Sequence, residues 1–385
     1  MTKKIIFFKI QSFSHINDRV EEILKTRFPE CQVLVVDVWE IIRKSKLDFL
    51  RNLLSIILMY WKDILLRRKS IGECLFTNTF IYRKIKKIAL EFKSSGDLLF
   101  TFQTQSLFNA KIESVPHYLY TDHTFLENRN YPEYKLHKMP SDNWLNLEKK
   151  IYKDTDLNFT MSNNITRSLL NDYKLDARKV KCVGAGSNIK LDSLMLEERN
   201  YDSKKIIFVG RRWDRKGGPI LAEAFEIVLK KHPDAHLTIL GCSPQLNIPN
   251  VEITGDIPLT EVAGYYSRSS IFCLPTKLEP FGIVFLESMM YSLPVVATNI
   301  GAIPDFVNDE NGILVEPNSV SQLAAALIRL LDDPILCKRL GQQGFRKYQQ
   351  NYTWDIVGLR MSELIRASLS NRIIKDNSII KLTAE

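Results

Sequence analysis

The 385 residues contain no paired cysteine spacing, no apolar stretch long enough to cross a bilayer, no internal repeat and no low-complexity tract. Each absence closes off a class of protein. The six cysteines, Cys31, Cys74, Cys182, Cys242, Cys273 and Cys337, lie far apart without zinc-type or redox-type spacing. They read as buried thiols in a reducing compartment, which points to a cytoplasmic protein. A spanning helix needs about 20 apolar residues, whereas Leu53–Trp61 offers nine, one of them Ser55. The start, Met1 to Ile10, imitates a signal peptide only in outline: its apolar core is short and Lys9 interrupts it, so it reads as a first buried strand. Glycine is missing from the loop expected after that strand, Ile10-Gln-Ser-Phe-Ser-His15.

Net charge is missing from half of the chain. Residues 201–385 hold 20 basic and 20 acidic side chains, while residues 1–200 hold 33 and 24. The whole excess of +9 falls within residues 43–93, which carry 13 basic and 4 acidic groups. That segment also holds the apolar stretch Leu53–Trp61, flanked by Arg43, Lys44, Lys46 and Arg51 on one side and by Lys62, Arg67, Arg68 and Lys69 on the other. A basic helix with a bulky apolar face, Tyr60 and Trp61 suits an anionic membrane surface. A core-packed helix with a solvated basic face is the competing reading. Nucleic acid is disfavoured because no reading motif accompanies the charge.

What is present is alternation. At 385 residues the chain suits two domains. Short apolar runs alternate with amphipathic stretches, the pattern of a doubly wound parallel α/β fold. Strands are expected near 4–10, 32–37, 97–101, 117–120, 157–161 and 180–183, then near 205–210, 236–241, 251–254, 271–275, 295–298 and 313–315. One long helix is expected over 40–68, and others over 17–27, 80–92, 145–152, 164–172, 219–231, 259–266, 282–291, 320–331 and 355–368. The boundaries that follow are a first domain over 1–190, a linker over 191–203, a second domain over 204–352 and a closing helix over 353–385 with a frayed tail.

Two motifs in the second half carry chemistry. In Leu274-Pro-Thr-Lys-Leu-Glu279-Pro-Phe-Gly282-Ile-Val-Phe-Leu-Glu287 a buried run ends at Pro275, and a loop presents Glu279. Gly282 then opens a helix that carries Glu287. The acids are eight residues apart, so one sits in the loop and the other a turn or more into the helix. The amides of Phe281, Ile283 and Val284 at the helix start suit phosphate, and carboxylates accept from sugar hydroxyls. Together they suit a nucleotide sugar. The second motif, Lys205-Ile-Ile-Phe-Val-Gly210-Arg211-Arg-Trp-Asp-Arg-Lys216-Gly-Gly218, reads as strand, tight turn and helix start. Gly210 allows close backbone approach, while Arg211 and Lys216 can converge on a diphosphate. With no metal-ligand spacing in either motif and an Asp-x-Asp donor motif expected nowhere in the chain, neutralisation is expected from these cations and helix amides, with no metal and no cofactor beyond the co-substrate.

The run from Gly255 to Pro317 resembles the donor domain of retaining glycosyltransferases of the GT-B architecture, the glycosyl transferases group 1 or family 4 type. The match continues through Leu293-Pro-Val-Val-Ala-Thr298, Gly301-Ala-Ile-Pro-Asp305 and Asn311-Gly-Ile-Leu-Val315. The resemblance implies two facing Rossmann-like domains with an interdomain cleft and a closing helix that packs on the first domain. It also implies transfer of a hexose, with retention, from a nucleoside diphosphate sugar to a hydroxyl acceptor such as a lipid-linked saccharide, glycolipid or polysaccharide precursor. In that scheme Arg211 and Lys216 hold the diphosphate, Glu279 the sugar hydroxyls and Glu287 the ribose. Gly241-Cys-Ser-Pro-Gln245 and the Gly255-Asp256 turn lie where the base would rest. His123, in Tyr118-Leu-Tyr-Thr-Asp122-His123, would face the transferred sugar, with Asp122 orienting the imidazole or capping a turn. Gln103, Gln105, Ser12 and Ser14 are weaker candidates. An epimerase or phosphorylase on the same fold, or a silent sugar-nucleotide sensor, are the other readings. Ser288-Met-Met-Tyr-Ser292 departs from the pattern, where small residues and a glycine are usual.

Overall fold

Ile5, Ile6, Phe7 and Phe8 are consecutive and wholly buried. A strand covered on both faces reads as such an unbroken apolar run, and that is why the strands were visible in the sequence. A computed structural model describes residues 2–13, 15–95, 97–189 and 199–382. Ser14 and most of the expected linker, residues 191–198, lie outside the described residues.

Two units divide the chain. The first comprises residues 1–128, 135–184 and 354–385. Its strands are β1 (Lys3–Lys9), β2 (Cys31–Asp37), β3 (Leu98–Thr104), β4 (His117–Thr121), β5 (Leu157–Thr160) and β6 (Val180–Cys182). They form one parallel sheet in the order β2-β1-β3-β4-β5-β6. The helices are α1 (Ile16–Arg27), α2 (Val38–Lys44), α3 (Lys46–Leu65), α4 (Thr79–Glu91), α5 (Asp142–Asp154) and α6 (Asn163–Asn171). The single helix expected over 40–68 is therefore two. Ser45 adopts an extended backbone and its hydroxyl accepts from the Asp48 amide, so it ends α2 and caps α3.

The second unit comprises residues 129–134 and 185–353. Its strands are β7 (Lys205–Val209), β8 (His236–Leu240), β9 (Val251–Gly255), β10 (Ile271–Leu274), β11 (Val295–Thr298) and β12 (Gly312–Val315), ordered β12-β11-β10-β7-β8-β9 and parallel throughout. Between them run α7 (Gly218–Lys231), α8 (Leu259–Arg268), α9 (Ile283–Met290), α10 (Ile303–Phe306), α11 (Val320–Asp332) and α12 (Pro334–Asn351). Helix α12 was not expected. Ser292, in the stretch Ser288–Ser292 that departs from the resembling pattern, takes a left-handed backbone, at φ 53°.

The closing helix α13 (Trp354–Leu382) belongs to the first unit. There Arg366 donates to the Arg27 carbonyl at 2.7 Å and pairs with Glu30 at 3.2 Å, beside α1. It is helical as far as Leu382, with no glycine or proline after Gly358.

Candidate functional site

In the second unit the strand order reverses between β7 and β10, which pair directly. Loops that leave neighbouring strands at such a reversal diverge and open a crevice at the carboxyl edge of the sheet. The two sequence motifs are those loops: residues 210–217 follow β7 and residues 275–282 follow β10.

The loops are fastened to each other. The Lys277 amide donates to the Arg215 carbonyl at 2.9 Å, and the Arg215 guanidinium donates back to the Leu278 carbonyl at 2.8 Å. The Thr276 hydroxyl spans both, 3.3 Å from the Arg215 carbonyl and 3.1 Å from that of Leu278. Gly217 has φ 75°, and a Cβ there would overlap the Pro275 carbonyl, so only glycine permits this approach. Across the joint, buried Lys216 donates its ammonium to Oε2 of buried Glu279. Burial pulls the Lys216 pKa below that of an ordinary lysine, and the Glu279 carboxylate opposes that pull. Sequence reasoning chose both residues but aimed each at a ligand; the fold pairs them with each other. Tyr131, which carries no sequence signal, fixes Glu279 further by donating to its carbonyl at 2.8 Å.

Gly282, at φ 93°, caps α9, and a Cβ there would press on the Phe285 ring and the Glu279 side chain. The first-turn amides of Ile283 and Val284 have no acceptor within the helix by its geometry. Phe281 is buried against Phe306, ring centres 5.4 Å apart, so its side chain anchors the loop. Glu287 lies in the body of α9, buried, and accepts from the Tyr266 hydroxyl at 3.2 Å. Burial pushes its pKa to about 7, with the Tyr266 hydroxyl and the Asn188 amide pulling the other way. Tyr266 was missed because α8 reads in the sequence as an ordinary amphipathic helix.

Beside this pair, the ends of β7, β8 and β9 bring three glycines together. The Gly210 amide donates to the Leu240 carbonyl at 2.9 Å, and the Gly241 amide to that of Gly255 at 2.8 Å. Arg211 is largely exposed here, its Nε 3.4 Å from Asp256 Oδ1. In this structure Lys216 turns inward to Glu279, while Arg211 stays out with Asp256.

The first unit holds the other candidates. His123 follows β4, half-buried, with Nε2 2.9 Å from Asn128 Oδ1 and its own amide on the Thr121 hydroxyl at 3.2 Å. Burial lowers its pKa, so the imidazole is neutral near pH 7. The partner on Nε2 is thus an amide that the sequence did not flag. Asp122 is half-buried beside it. Gln103 is not a ligand candidate: its amide is consumed by the carbonyls of Gln105 and Phe108, its oxygen by the Ala110 amide and His117. The glycine-free loop after β1 still turns left-handed, at Gln11 (φ 49°), Phe13 (φ 45°) and His15 (φ 62°). Buried Asn17 holds it through the carbonyls of Ile10 and Gln11, at 3.2 and 2.6 Å.

One Asp-x-Asp tripeptide does occur, Asp154-Thr155-Asp156, at the amino end of β5. It is structural: Asp154 pairs with Lys150 and Asn109, and Asp156 with Lys111 and the His117 amide. Among the described residues no three His, Cys, Asp or Glu side chains are grouped to hold a metal ion.

Residues 197–347 match the family described as glycosyl transferases group 1. The second half of the chain is similar to such a domain. A GDP-mannose-dependent monoacylated alpha-(1-6)-phosphatidylinositol monomannoside mannosyltransferase of Corynebacterium glutamicum is 29% identical over 169 residues, 40% of this chain and 44% of that protein. The capsular polysaccharide biosynthesis glycosyltransferase CapM of Staphylococcus aureus is 26% identical over 227 residues, 53% and 59%. These matches span about half the length of the curated relatives. Among solved structures, sucrose-phosphate synthase from Thermosynechococcus elongatus superposes with a TM-score of 0.70 at 18% identity, covering 96% of this chain and all of that one. An Anabaena protein solved with UDP and glucose gives 0.63 at 13%, covering 94% and 99%. The fold is that of these proteins, two Rossmann-like parallel-sheet domains of the GT-B type.

Proposed function

We propose that the chain is a retaining, metal-independent glycosyltransferase that moves a hexose from a nucleoside diphosphate sugar to a hydroxyl acceptor. The observation that carries the reading is the Lys216–Glu279 pair, fixed between two fastened loops at the reversal of the second sheet. A donor diphosphate competes with Glu279 for the Lys216 ammonium. Once Lys216 turns to the phosphate, the Glu279 carboxylate accepts from sugar hydroxyls. Arg211 and the α9 amides share the remaining negative charge, and Glu287 accepts from the ribose. The acceptor oxygen bonds to the anomeric carbon on the face the diphosphate leaves, and its proton passes to the leaving phosphate. His123 and Asp122 are proposed to face the sugar. The acceptor is a lipid-linked saccharide, glycolipid or polysaccharide precursor met at an anionic membrane face. The support is the basic apolar segment 43–93 and the mannosyl and capsular transferases among the relatives.

The test is turnover of a panel of nucleoside diphosphate sugars with lipid-linked acceptors. One donor should be consumed with a glycosylated product. Lys216→Ala and Glu279→Ala should each lower the rate by about 100-fold or more. Full turnover in either variant removes the site from the reaction. Release of a new sugar nucleotide without acceptor would make the protein an epimerase.

A further inference from the structure

Helix α3 carries a second apolar face besides the one it buries. Leu47, Leu50, Leu54, Leu58, Trp61 and Leu65 recur at three- and four-residue steps, so they share one face. That face points outward, each side chain between 53% and 73% exposed. The inward face combines apolar Ile56 with polar side chains that bond to the rest of the unit. Asn52 donates to the Leu75 carbonyl at 3.1 Å and accepts from Asn78 at 2.8 Å, while Tyr60 donates to the Thr77 carbonyl at 2.7 Å. Asp48 pairs with Lys84 at 2.7 Å. These bonds fix the rotation of the helix, so the leucine face cannot turn into the core without breaking them.

The charges follow the same logic. Both carboxylates of α3 are turned toward the protein: Asp48 to Lys84 and Asp63 to Lys69, at 3.1 Å. Lys69 is itself buried and donates to the Met139 carbonyl at 2.6 Å, so it is a structural cation and not part of the outer rim. The cations left outside are Lys46, Arg51, Lys62, Arg67 and Arg68, with Arg43 and Lys44 at the end of α2. An exposed apolar stripe of five turns, rimmed by one sign of charge, marks an interaction surface. A second copy of this chain would set the same positive rim against itself. An anionic surface would not.

We propose that α3 is a membrane-docking helix. It lies parallel to an anionic phospholipid surface, with the leucine–tryptophan face in the boundary between headgroups and acyl chains and the cations on the phosphates. From Leu47 to Leu65 the stripe is about 27 Å long at 1.5 Å per residue. No described helix is long and apolar enough to cross a membrane, so the attachment is to one face. The inference deepens the proposed function by stating how the chain reaches a lipid-linked acceptor, but it stands without the donor chemistry.

The test is sedimentation with vesicles of phosphatidylcholine, with and without phosphatidylglycerol, at two salt concentrations. The wild type should pellet with the anionic vesicles, less so at high salt. Leu54→Glu/Leu58→Glu should weaken that binding roughly tenfold or more, and Arg67→Ala/Arg68→Ala by a smaller factor. Both positions pairs are exposed, so the melting temperature and its shift by nucleoside diphosphates should stay as in the wild type, which separates failure of docking from failure of the donor reading. A folded wild type that ignores anionic vesicles overturns the proposal, as does unchanged binding by Leu54→Glu/Leu58→Glu. A wild-type dimer that this variant converts to monomers would assign the stripe to a second copy and overturn it too.

Discussion

Glu148 in the first unit and Glu287 in the second are both buried, and burial pushes both pKa values to about 7. Around Glu148 the acceptor sites are filled. It takes hydrogen bonds from Tyr173, from Ser106 at 2.8 Å, from Tyr152 at 3.3 Å and from the Phe125 amide at 3.4 Å. Glu287 has Tyr266 and the Asn188 amide. An ionised carboxylate offers about four acceptor positions. Glu148 therefore spends its capacity on the fold, tying α5 to the loop after β4, while Glu287 has fewer partners among the described residues and lies on the helix that follows β10. The two carboxyls thus share a pKa direction but differ in position and in the partners found among the described residues.

The comparison breaks first at stability. Glu148→Ala strands three hydroxyls and opens a cavity, so denaturant unfolding should show a loss of about 3–5 kcal/mol. Donor binding by the folded fraction should be unchanged. A loss under about 1 kcal/mol would mean that Glu148 is not the structural member of the two.

Next comes pH. Each carboxyl holds its proton to about pH 7 in the fold against an ordinary 4.5, so the native state binds more protons. Stability should be full below about pH 4.5 and fall as pH rises toward 7, by on the order of 3 kcal/mol per group. Glu148→Gln should flatten its share of that slope. Donor affinity should run the other way: a nucleoside diphosphate sugar has no titrating group in this range, and its ribose hydroxyls favour the ionised Glu287. Binding measured by calorimetry should tighten as pH rises to about 7, and Glu287→Gln should abolish the trend. The same trend surviving in Glu287→Gln but vanishing in Glu148→Gln would reverse the assignment.

Smaller still, Glu287→Ala should weaken donor binding by about 2 kcal/mol, roughly 30-fold, while costing about 1–2 kcal/mol of stability. Arg211→Ala should be the mildest change. Its side chain is exposed beside Asp256, so unfolding should move by under about 0.5 kcal/mol and donor affinity by about tenfold or less.

How far the sequence foretells this depends on whether a feature is local. Strands buried on both faces announce themselves, and their positions matched within a few residues. Helix α12 did not, because Gly341 and Gly344 read as breakers; in the fold a Cβ at Gly341 would overlap the Ser292 carbonyl, so glycine is there for close packing. The break at Ser45 was hidden by apolar periodicity that continues through it. Lys69 sits in a run of cations and was grouped with them, yet its partners are Asp63 and a carbonyl 70 residues away. The residues of the candidate site were legible because each motif is contiguous. That Lys216 would be held by Glu279, and Arg211 by Asp256, was not, since those pairs join separate loops through the strand order.

The central claim is that Lys216 and Glu279 form a donor diphosphate site, and thermal stabilisation by nucleoside diphosphates and their sugars tests it most directly. Removing Lys216 alone leaves a buried carboxylate, so Lys216→Met/Glu279→Gln serves as the folded control alongside Lys216→Ala. The account predicts a melting shift with one base in the wild type and none in either variant. An equal shift in the wild type and both variants would contradict it.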